Sequence, residues 1–337
     1  MEATELELRE KLEQRERETL SPYAALSSES RGREKPLEPD PIRTDFQRDR
    51  DRIIHSKAFR RLMHKTQVFL SPEGDHYRTR LTHTLEVAQI ARTMAVALDL
   101  NENLTEAIAL GHDLGHTPFG HSGERALNEV CPFGFRHYEQ SLRVVDILER
   151  DGEGLNLTWE VRNGILRHTN GEPAATLEGQ LVKLADHFAY AHHDFEDAVR
   201  AGVLTEDAVL PEIREILGDT ATKRLSTMVS SVIENSGETI RMDPDIEAAA
   251  GLLEDFMFDV VYTNPAARSQ EQKVHHLVTS LYQFFSETPG AMPAEYQKIA
   301  LRDGLDRAVC DYISGMSDRY AIKLYNDYFV PKGWNKE

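Results

Sequence analysis

The chain has 337 residues, of which 40% are hydrophobic and 28% are charged. This composition is typical of a soluble globular protein and excludes disordered and fibrous classes. Because 57 acidic residues outnumber 39 basic ones, the formal net charge is -18, which argues against general affinity for nucleic acids. The sequence has no apolar segment of about 18 residues that could span a membrane and no secretory signal. We therefore expect a cytoplasmic protein that does not bind membranes.

The first elements in the chain are a charged helix and an irregular arm. Residues 2–20 have the alternating charge of a surface helix, and residues 21–41 contain four prolines, which block helix continuation. We assign residues 1–41 to this charged N-terminal helix and Ser- and Pro-rich arm, and expect the folded body to begin near Ile42. From there apolar residues recur at intervals of three and four, which indicates helices. The pattern predicts an all-α fold with at most a minor hairpin.

Residues 43–80 form a basic stretch, with ten basic and five acidic side chains. The local charge is therefore +5 in a chain whose other residues sum to -23, since -18 minus 5 is -23. A solvated surface with salt bridges would have this composition. A site that binds phosphates would have it too.

The chain contains only two cysteines, Cys131 and Cys310. They lack the spacing of a thiolate metal site, and the absence of a secretory signal speaks against a disulfide framework. We expect two buried, reduced thiols.

The 14 histidines are the unusual feature of the composition, and several lie within a short stretch. His83, the adjacent pair His112 and Asp113, and Asp186 each stand in or at the end of a predicted helix. Two neutral imidazoles and two carboxylates suit a divalent first-row cation, since they combine borderline and hard donors and cancel its charge. A six-coordinate ion with four protein ligands keeps positions for water and a substrate oxygen, as hydrolysis requires.

Longer strings accompany these four residues, namely LSPYAALSSESRGR (20–33), RDRDRIIHSKAFRRLMHKTQVF (48–69), HDLGHTPFGHSGE (112–124), FRHYEQSLRVV (135–145) and GILRHTNG (164–171). With the ligand order His, His-Asp, Asp, the chain resembles the HD-domain superfamily of metal-dependent phosphohydrolases. More narrowly, it resembles the bacterial deoxyguanosinetriphosphate triphosphohydrolase-like family, whose members are dNTP triphosphohydrolases. The resemblance implies an HD-domain helical core at 42–200 with additional peripheral helices. Continuity and helical pattern assign 201–337 to a C-terminal helical extension packed on that core.

The resemblance also implies catalytic roles. The four candidate ligands would bind one divalent ion, with Mn²⁺ or Mg²⁺ favoured. His121 and Glu124 match the catalytic His-Glu pair of the family, and at one helical turn apart they can share a hydrogen bond that supports a protonated imidazole. His116 and His137 would lie beside the phosphates, where one of them could donate a proton.

Four further residues would bind the substrate. Arg80 matches an arginine that contacts the triphosphate, and a guanidinium can engage two phosphate oxygens at once. By resemblance Tyr190 would pack on the sugar, while Asp194 and Gln67 would hold the 3′-hydroxyl. The spacing agrees with this, because Asp186, Tyr190 and Asp194 are four residues apart and share one face of a helix.

We therefore expect an enzyme that hydrolyses a dNTP, with dGTP as one candidate, to the deoxynucleoside and inorganic tripolyphosphate. One alternative is another HD phosphohydrolase, such as a 5′-nucleotidase or a phosphodiesterase. Phosphodiesterases that hold two ions need additional His or Asp ligands, and here the sequence shows spare histidines without that spacing. Another alternative is a non-catalytic regulator that senses nucleotides or binds single-stranded DNA. The resemblance also implies a homo-oligomer and a dNTP effector at a second site.

Overall fold

A computed structural model of the chain describes residues 2–67, 78–169, 171–262 and 265–331. Within these ranges the predicted all-α fold is confirmed, with sixteen α-helices and no strand. We allowed for a minor hairpin. The described ranges contain only two isolated β-bridges, one between Arg33 and Thr158 and one between Thr66 and Thr79. None of the helices in the described part of the chain combines the length and the apolar character needed to cross a bilayer.

Among the described residues, nine helices precede residue 201: α1 (Glu2–Thr19), α2 (Asp45–Ile54), α3 (Lys57–Arg61), α4 (Arg80–Ala97), α5 (Glu102–Gly111), α6 (Gly120–Val130), α7 (His137–Arg143), α8 (Trp159–Leu166) and α9 (Leu177–Arg200). Seven more follow in the same described set: α10 (Pro211–Leu217), α11 (Ala221–Asn235), α12 (Pro244–Met257), α13 (Pro265–Glu287), α14 (Ala294–Asp303), α15 (Leu305–Ser314) and α16 (Asp318–Phe329).

Helices α4, α5 and α9 form the frame of the candidate site, and each begins at a polar cap. Thr79, Asn101 and Thr176 each accept a hydrogen bond from the backbone N–H three residues ahead. Such caps satisfy N–H groups that have no partner within the helix, and each contributes about 1 kcal/mol. The starting points of the three helices are thus determined locally by the sequence.

The larger hydrophobic core, which we call the first core, extends from Phe46 to Val261 and includes residues of α2, α4, α5, α8, α9 and α10–α12. Helices α5 and α8 approach closely because Gly164 lies against the side chain of Ile108, where an added Cβ would clash.

Because the first core reaches Val261, it continues beyond residue 200, where we placed the end of the HD core. That boundary stays a prediction.

The second core combines residues of α6 with residues of α13, α15 and α16. Phe119, Leu127 and Phe135 pack there with Leu281, Phe285 and other buried side chains from the C-terminal helices. Helix α6 belongs to the HD segment in sequence but packs mainly on the C-terminal helices. This arrangement brings the C-terminal part of the chain close to the histidine-rich segment.

The expectation of two reduced thiols is wrong, because the structure joins Cys131 and Cys310 in a disulfide. Cys131 follows the last residue of α6, and Cys310 lies within α15, so both belong to the second core. The two residues are separated by 179 positions in sequence. Our expectation considered short spacings and the compartment, and neither reveals that α6 and α15 are neighbours.

Buried carboxylates hold the N-terminal arm. Glu178 of α9 accepts hydrogen bonds from the backbone N–H of Ala25 at 3.0 Å and of Asn101 at 2.9 Å. Glu160 of α8 accepts one from the backbone N–H of Arg31 at 2.8 Å. Burial raises the pKa of the Glu178 carboxyl to about 7, although the backbone N–H donors oppose this shift.

Candidate active site

The four candidate metal ligands meet between α4, α5 and α9, and all four are buried. His83 lies on α4, His112 and Asp113 follow α5, and Asp186 lies on α9. His83 Nε2 is 2.9 Å from Asp186 Oδ1. His112 Nε2 is 3.7 Å from both Asp113 Oδ2 and Asp186 Oδ1. The structure thus brings together residues that are up to 103 positions apart.

The chemistry of this cluster fits a divalent cation. His112 Nδ1 lies 2.6 Å from the backbone carbonyl of Ala109, which can only accept a hydrogen bond, so Nδ1 carries the proton and Nε2 presents its lone pair. This buried Nε2 has no hydrogen-bond partner among the described residues. A buried lone pair without a partner is costly, and a cation shared with the two carboxylates would satisfy it.

Both carboxylates of the cluster are ionised. Burial alone would raise the pKa of Asp113, but the charges of Arg80, His112 and other neighbours hold it well below its usual range. Burial likewise opposes ionisation of Asp186, whereas its hydrogen bond with His83 and the nearby histidines lower its pKa overall. Ionised carboxylates are the form that binds a metal ion.

Arg80 contacts the metal cluster directly. Its guanidinium is fully buried, and Nη1 donates a hydrogen bond to Asp113 Oδ2. Nη2 donates to the backbone carbonyl of Gln67 at 3.4 Å. In this structure the charge of Arg80 is therefore balanced by a candidate metal ligand.

Much of the basic stretch that contains Arg80 is a network of salt bridges, which was the first of our two interpretations. The basic residues that pair with acidic side chains include Arg43, Arg50, Lys57 and Arg78. The second interpretation, a site for phosphates, then rests chiefly on Arg80 and its surroundings.

A second cluster lies beside the first and contains the predicted acid-base residues. Glu124 of α6 accepts hydrogen bonds from the backbone N–H of His137 at 2.9 Å and from its Nδ1 at 3.0 Å. His121 Nδ1 is 3.6 Å from Glu124 Oε2, longer than a normal hydrogen bond, and its side chain is 47% exposed. Glu124 therefore binds His137 more closely than His121, the partner that we expected.

Two imidazoles of this cluster have pKa values that are shifted in opposite directions. Burial lowers the pKa of His137, but the hydrogen bonds and charge of Glu124 outweigh burial and raise it above its ordinary value. For His116, burial and the charge of Arg80 hold the pKa well below the usual range. The two rings stack with centroids 4.8 Å apart. The raised pKa favours the protonated form of His137, whereas the lowered pKa favours the neutral form of the neighbouring His116.

Gly115 explains how these rings come together. An added Cβ at this position would clash with the backbone N of Ser141 on α7. The Gly115 N–H also donates a hydrogen bond to Ser141 Oγ at 2.9 Å. Only glycine lets the loop after Asp113 lie this close to α7, which carries His137 at its first position.

His168 is a residue of the site that our sequence analysis did not assign. Its Nδ1 lies 2.7 Å from the backbone carbonyl of Ile165, so its Nε2 presents a lone pair, 3.2 Å from His137 Nε2. Burial and the neighbouring histidines His112 and His137 lower its pKa to about 3. The string GILRHTNG contained this residue, and its place in that motif was the available signal.

His168 also changes the count of possible metal ligands. Two groups of three residues could each offer one ligand atom per residue, with these atoms within 4.8 Å of one another. One group is Asp113, His137 and His168, and the other is His83, His112 and Asp113. Additional ligands for a second ion, which the sequence spacing did not reveal, are therefore close together in space.

Of the predicted substrate residues, Tyr190 lies beside the histidines of the candidate site. The Tyr190 ring is centred 4.7 Å from the His83 ring and 6.3 Å from the His121 ring. Asp194 is buried four residues further along α9. Gln67 is buried too, and neither polar atom of its amide has a hydrogen-bond partner among the described residues. An amide of this kind would gain most from a polar ligand.

Two family models match the chain. The HD domain model matches residues 80–191, which include all four candidate metal ligands, and a phosphohydrolase-associated domain matches residues 240–327. A phosphohydrolase of Bacteroides thetaiotaomicron VPI-5482 shares the fold, with a TM-score of 0.53 and 17% identity over 82% of this chain and 68% of that protein.

Two curated relatives are similar over nearly their whole length. The deoxyguanosinetriphosphate triphosphohydrolase-like protein of Caldanaerobacter subterraneus subsp. tengcongensis is 56% identical, covering 98% of each chain. The protein of the same name from Desulfatibacillum aliphaticivorans is 48% identical, covering 96% of this chain and 98% of its own. The chain therefore belongs to the deoxyguanosinetriphosphate triphosphohydrolase-like family of HD-domain phosphohydrolases.

Proposed function

We propose that this protein is a metal-dependent dNTP triphosphohydrolase, which cleaves between the 5′-oxygen and the α-phosphorus and releases a deoxynucleoside and inorganic tripolyphosphate. The observation that carries the proposal is the adjacency of two clusters. The candidate metal ligands lie beside the candidate acid-base residues, since ligand atoms of Asp113, His137 and His168 lie within 4.8 Å of one another. The names of the relatives make dGTP a candidate substrate.

The residues of the candidate site have complementary tasks in this reaction. His83, His112, Asp113 and Asp186 would hold the divalent ion, which when bound would supply Lewis-acid polarisation of the α-phosphate. Hydrolysis attaches the oxygen of water to the α-phosphorus, breaks the bond from phosphorus to the 5′-oxygen, and leaves a proton on the 5′-oxygen.

His121 is the proposed proton carrier, because it is the most accessible imidazole of the acid-base cluster and lies next to Tyr190, the proposed sugar contact. Glu124 stabilises positive charge on the neighbouring imidazoles. His137 and Arg80 are the cations placed to offset the charge of the phosphates, which is greatest in the transition state.

The test is product analysis. Each of the four dNTPs is incubated with the protein and Mn²⁺ or Mg²⁺, and the phosphate products are separated by ion-exchange chromatography. We expect tripolyphosphate and the deoxynucleoside in equal amounts. Release of orthophosphate or pyrophosphate would contradict the proposal, as would stoichiometric dNTP binding without turnover, which would favour the non-catalytic regulator.

One structural observation favours the alternative of a two-metal phosphohydrolase. The convergence of Asp113, His137 and His168 could hold a second ion, and paired ions stabilise attacking and leaving oxygens in many phosphoesterases. Metal counting at saturation with Mn²⁺ tests this directly. Two ions per chain, together with cleavage of nucleoside monophosphates or phosphodiesters, would establish the alternative.

Three further properties stay predictions. The oligomer and the effector rest on the resemblance, and the cytoplasmic location rests on the sequence features given above. We propose that the protein is a homo-oligomer, that a dNTP binds at a second site as an effector, and that the protein acts in the cytoplasm. A panel of dNTPs assayed singly and in pairs reports substrate preference and activation together. Sedimentation with and without dNTPs reports assembly.

A further inference from the structure

The C-terminal helices reach the candidate active site through polar groups. Asp318, the first residue of α16, accepts two backbone hydrogen bonds from segments that are distant in sequence. Its Oδ2 accepts from the N–H of Thr66 at 2.9 Å, and its Oδ1 accepts from the N–H of Phe119 at 2.9 Å. One carboxylate thus joins two segments of the HD region, one on each oxygen.

Both segments lead directly into the site. Thr66 precedes Gln67, the buried amide that has no partner among the described residues. Phe119 is the N-cap residue of α6, the helix that carries His121 and Glu124. Phe119 also has a left-handed backbone, with φ of 62°, which costs a non-glycine residue about 1 kcal/mol or more. A fixed acceptor for its N–H helps to hold this conformation.

Two other contacts connect the same parts of the molecule. Lys65 is buried and donates from Nζ to the backbone carbonyls of His116 and Ser314, the latter at 2.7 Å. Asp311 of α15 accepts hydrogen bonds from two residues of α7, Gln140 at 2.8 Å and Arg143 at 2.9 Å. The segment before Gln67, the loop of His116 and the helix of His137 are therefore all attached to α15 and α16.

We propose that Asp318 is a positioning residue, which fixes the segment that carries Gln67 and the start of the His121 helix relative to each other by accepting one N–H from each. The roles given to Gln67 and His121 rest on the proposed function. The C-terminal extension thereby acts as a brace for the acid-base half of the site, in addition to covering the second core.

The test compares Asp318→Asn with Asp306→Asn. Asparagine is isosteric, but its amide nitrogen cannot accept a hydrogen bond, so one of the two contacts is lost. Asp306 is a matched control because it lies in α15 and accepts a hydrogen bond from Tyr282 within the same C-terminal unit, away from the site. Both variants are checked for folding by circular dichroism and for Mn²⁺ affinity by titration calorimetry.

For Asp318→Asn we expect kcat to fall about 10- to 100-fold, because misplacement of about 1 Å has costs of this order. We also expect KM to rise and Mn²⁺ affinity to stay unchanged, since the metal ligands lie on α4, α5 and α9. Asp306→Asn should retain wild-type kcat and KM. Wild-type kinetics in Asp318→Asn, or equal losses in both variants, would overturn the proposal.

Amide hydrogen exchange provides a readout that does not depend on the reaction. Positioning predicts faster exchange across residues 62–67 and 114–122 in Asp318→Asn but not in Asp306→Asn. If the wild type releases no tripolyphosphate, the proposed function fails. The exchange test still shows whether Asp318 holds the two segments in place. Unchanged exchange in both segments overturns this positioning role. If Asp318→Asn does not fold, Asp318→Ser, which keeps one oxygen acceptor, is measured by the same criteria.

Discussion

The two hydrophobic cores support different halves of the candidate site. The candidate metal ligands lie on or directly after α4, α5 and α9, which pack in the first core. Helix α6, which carries His121 and Glu124, packs in the second core with α13, α15 and α16. The candidate site therefore lies where the two cores meet. We infer that ion binding depends on the first core, while proton transfer depends on how accurately the second core is held against it.

Removing a ligand on the first core should have the largest effect. Asp186→Ala should abolish metal binding and activity, because this carboxylate contacts both His83 and His112. Mn²⁺ binding is measured by calorimetry and activity by tripolyphosphate release. The matched control is His187→Gln. In the wild type, His187 Nδ1 lies 2.9 Å from Oε1 of Glu254 on α12. Stoichiometric, undiminished Mn²⁺ binding in Asp186→Ala would remove Asp186 from the ligand set.

Removing the proton carrier on α6 should separate the two halves of the site. His121→Ala should retain Mn²⁺ affinity and lose about 10²- to 10⁴-fold in kcat, the usual contribution of a general acid or base. The side chain is largely accessible, so its removal should cost little stability. A rate near that of the wild type would show that another group transfers the proton, and His137→Gln would be the next variant to measure.

Breaking the disulfide tests the second core alone. Reduction of the bond between Cys131 and Cys310 should lower the free energy of unfolding by about 2–4 kcal/mol, because it releases a long loop in the unfolded chain. Denaturant unfolding with and without reductant measures the change, and Mn²⁺ affinity should be unaffected. Thiol titration of the unfolded, unreduced protein should find no free thiol. Two titratable thiols would show that the bond is absent in solution.

The smallest expected effect concerns Glu178, which joins the first core to the N-terminal arm. Its pKa is raised to about 7 by burial, so between pH 5 and pH 7 the folded state binds more protons than the unfolded state. Stability should therefore fall by about 2 kcal/mol as pH rises across this window. Glu178→Gln should lack this part of the slope. Parallel pH profiles for the two proteins, measured by denaturant unfolding, would contradict the assignment.

The sequence predicted the helical fold class for local reasons, while its candidate ligand set stays a prediction. Helical periodicity and caps depend on neighbouring residues, so α4 and α9 are readable from the chain itself. The adjacency of His112 and Asp113 is likewise local. His168 was missed because its role depends on the approach of α8 to α5, a long-range contact that single-chain spacing does not encode.

The pairing of Glu124 shows the same limit. Helical spacing predicted a hydrogen bond between His121 and Glu124, which are 3.6 Å apart, but it could not show that His137, at the start of another helix, lies closer. Glu124 has several neighbouring side chains, and the packing of the helices decides which of them lies within hydrogen-bond distance. The loop containing Gly115 brings this neighbour close.

The sequence by itself determined the all-α class, the caps, the ionisable residues and the order His, His-Asp, Asp. These properties depend on residue type and on spacings within one helical turn or one motif. The tertiary structure decided which distant residues meet: Cys131 with Cys310, His137 with His168, and Asp318 with Thr66 and Phe119. Such contacts arise from the packing of whole helices, and burial then determines which groups are charged.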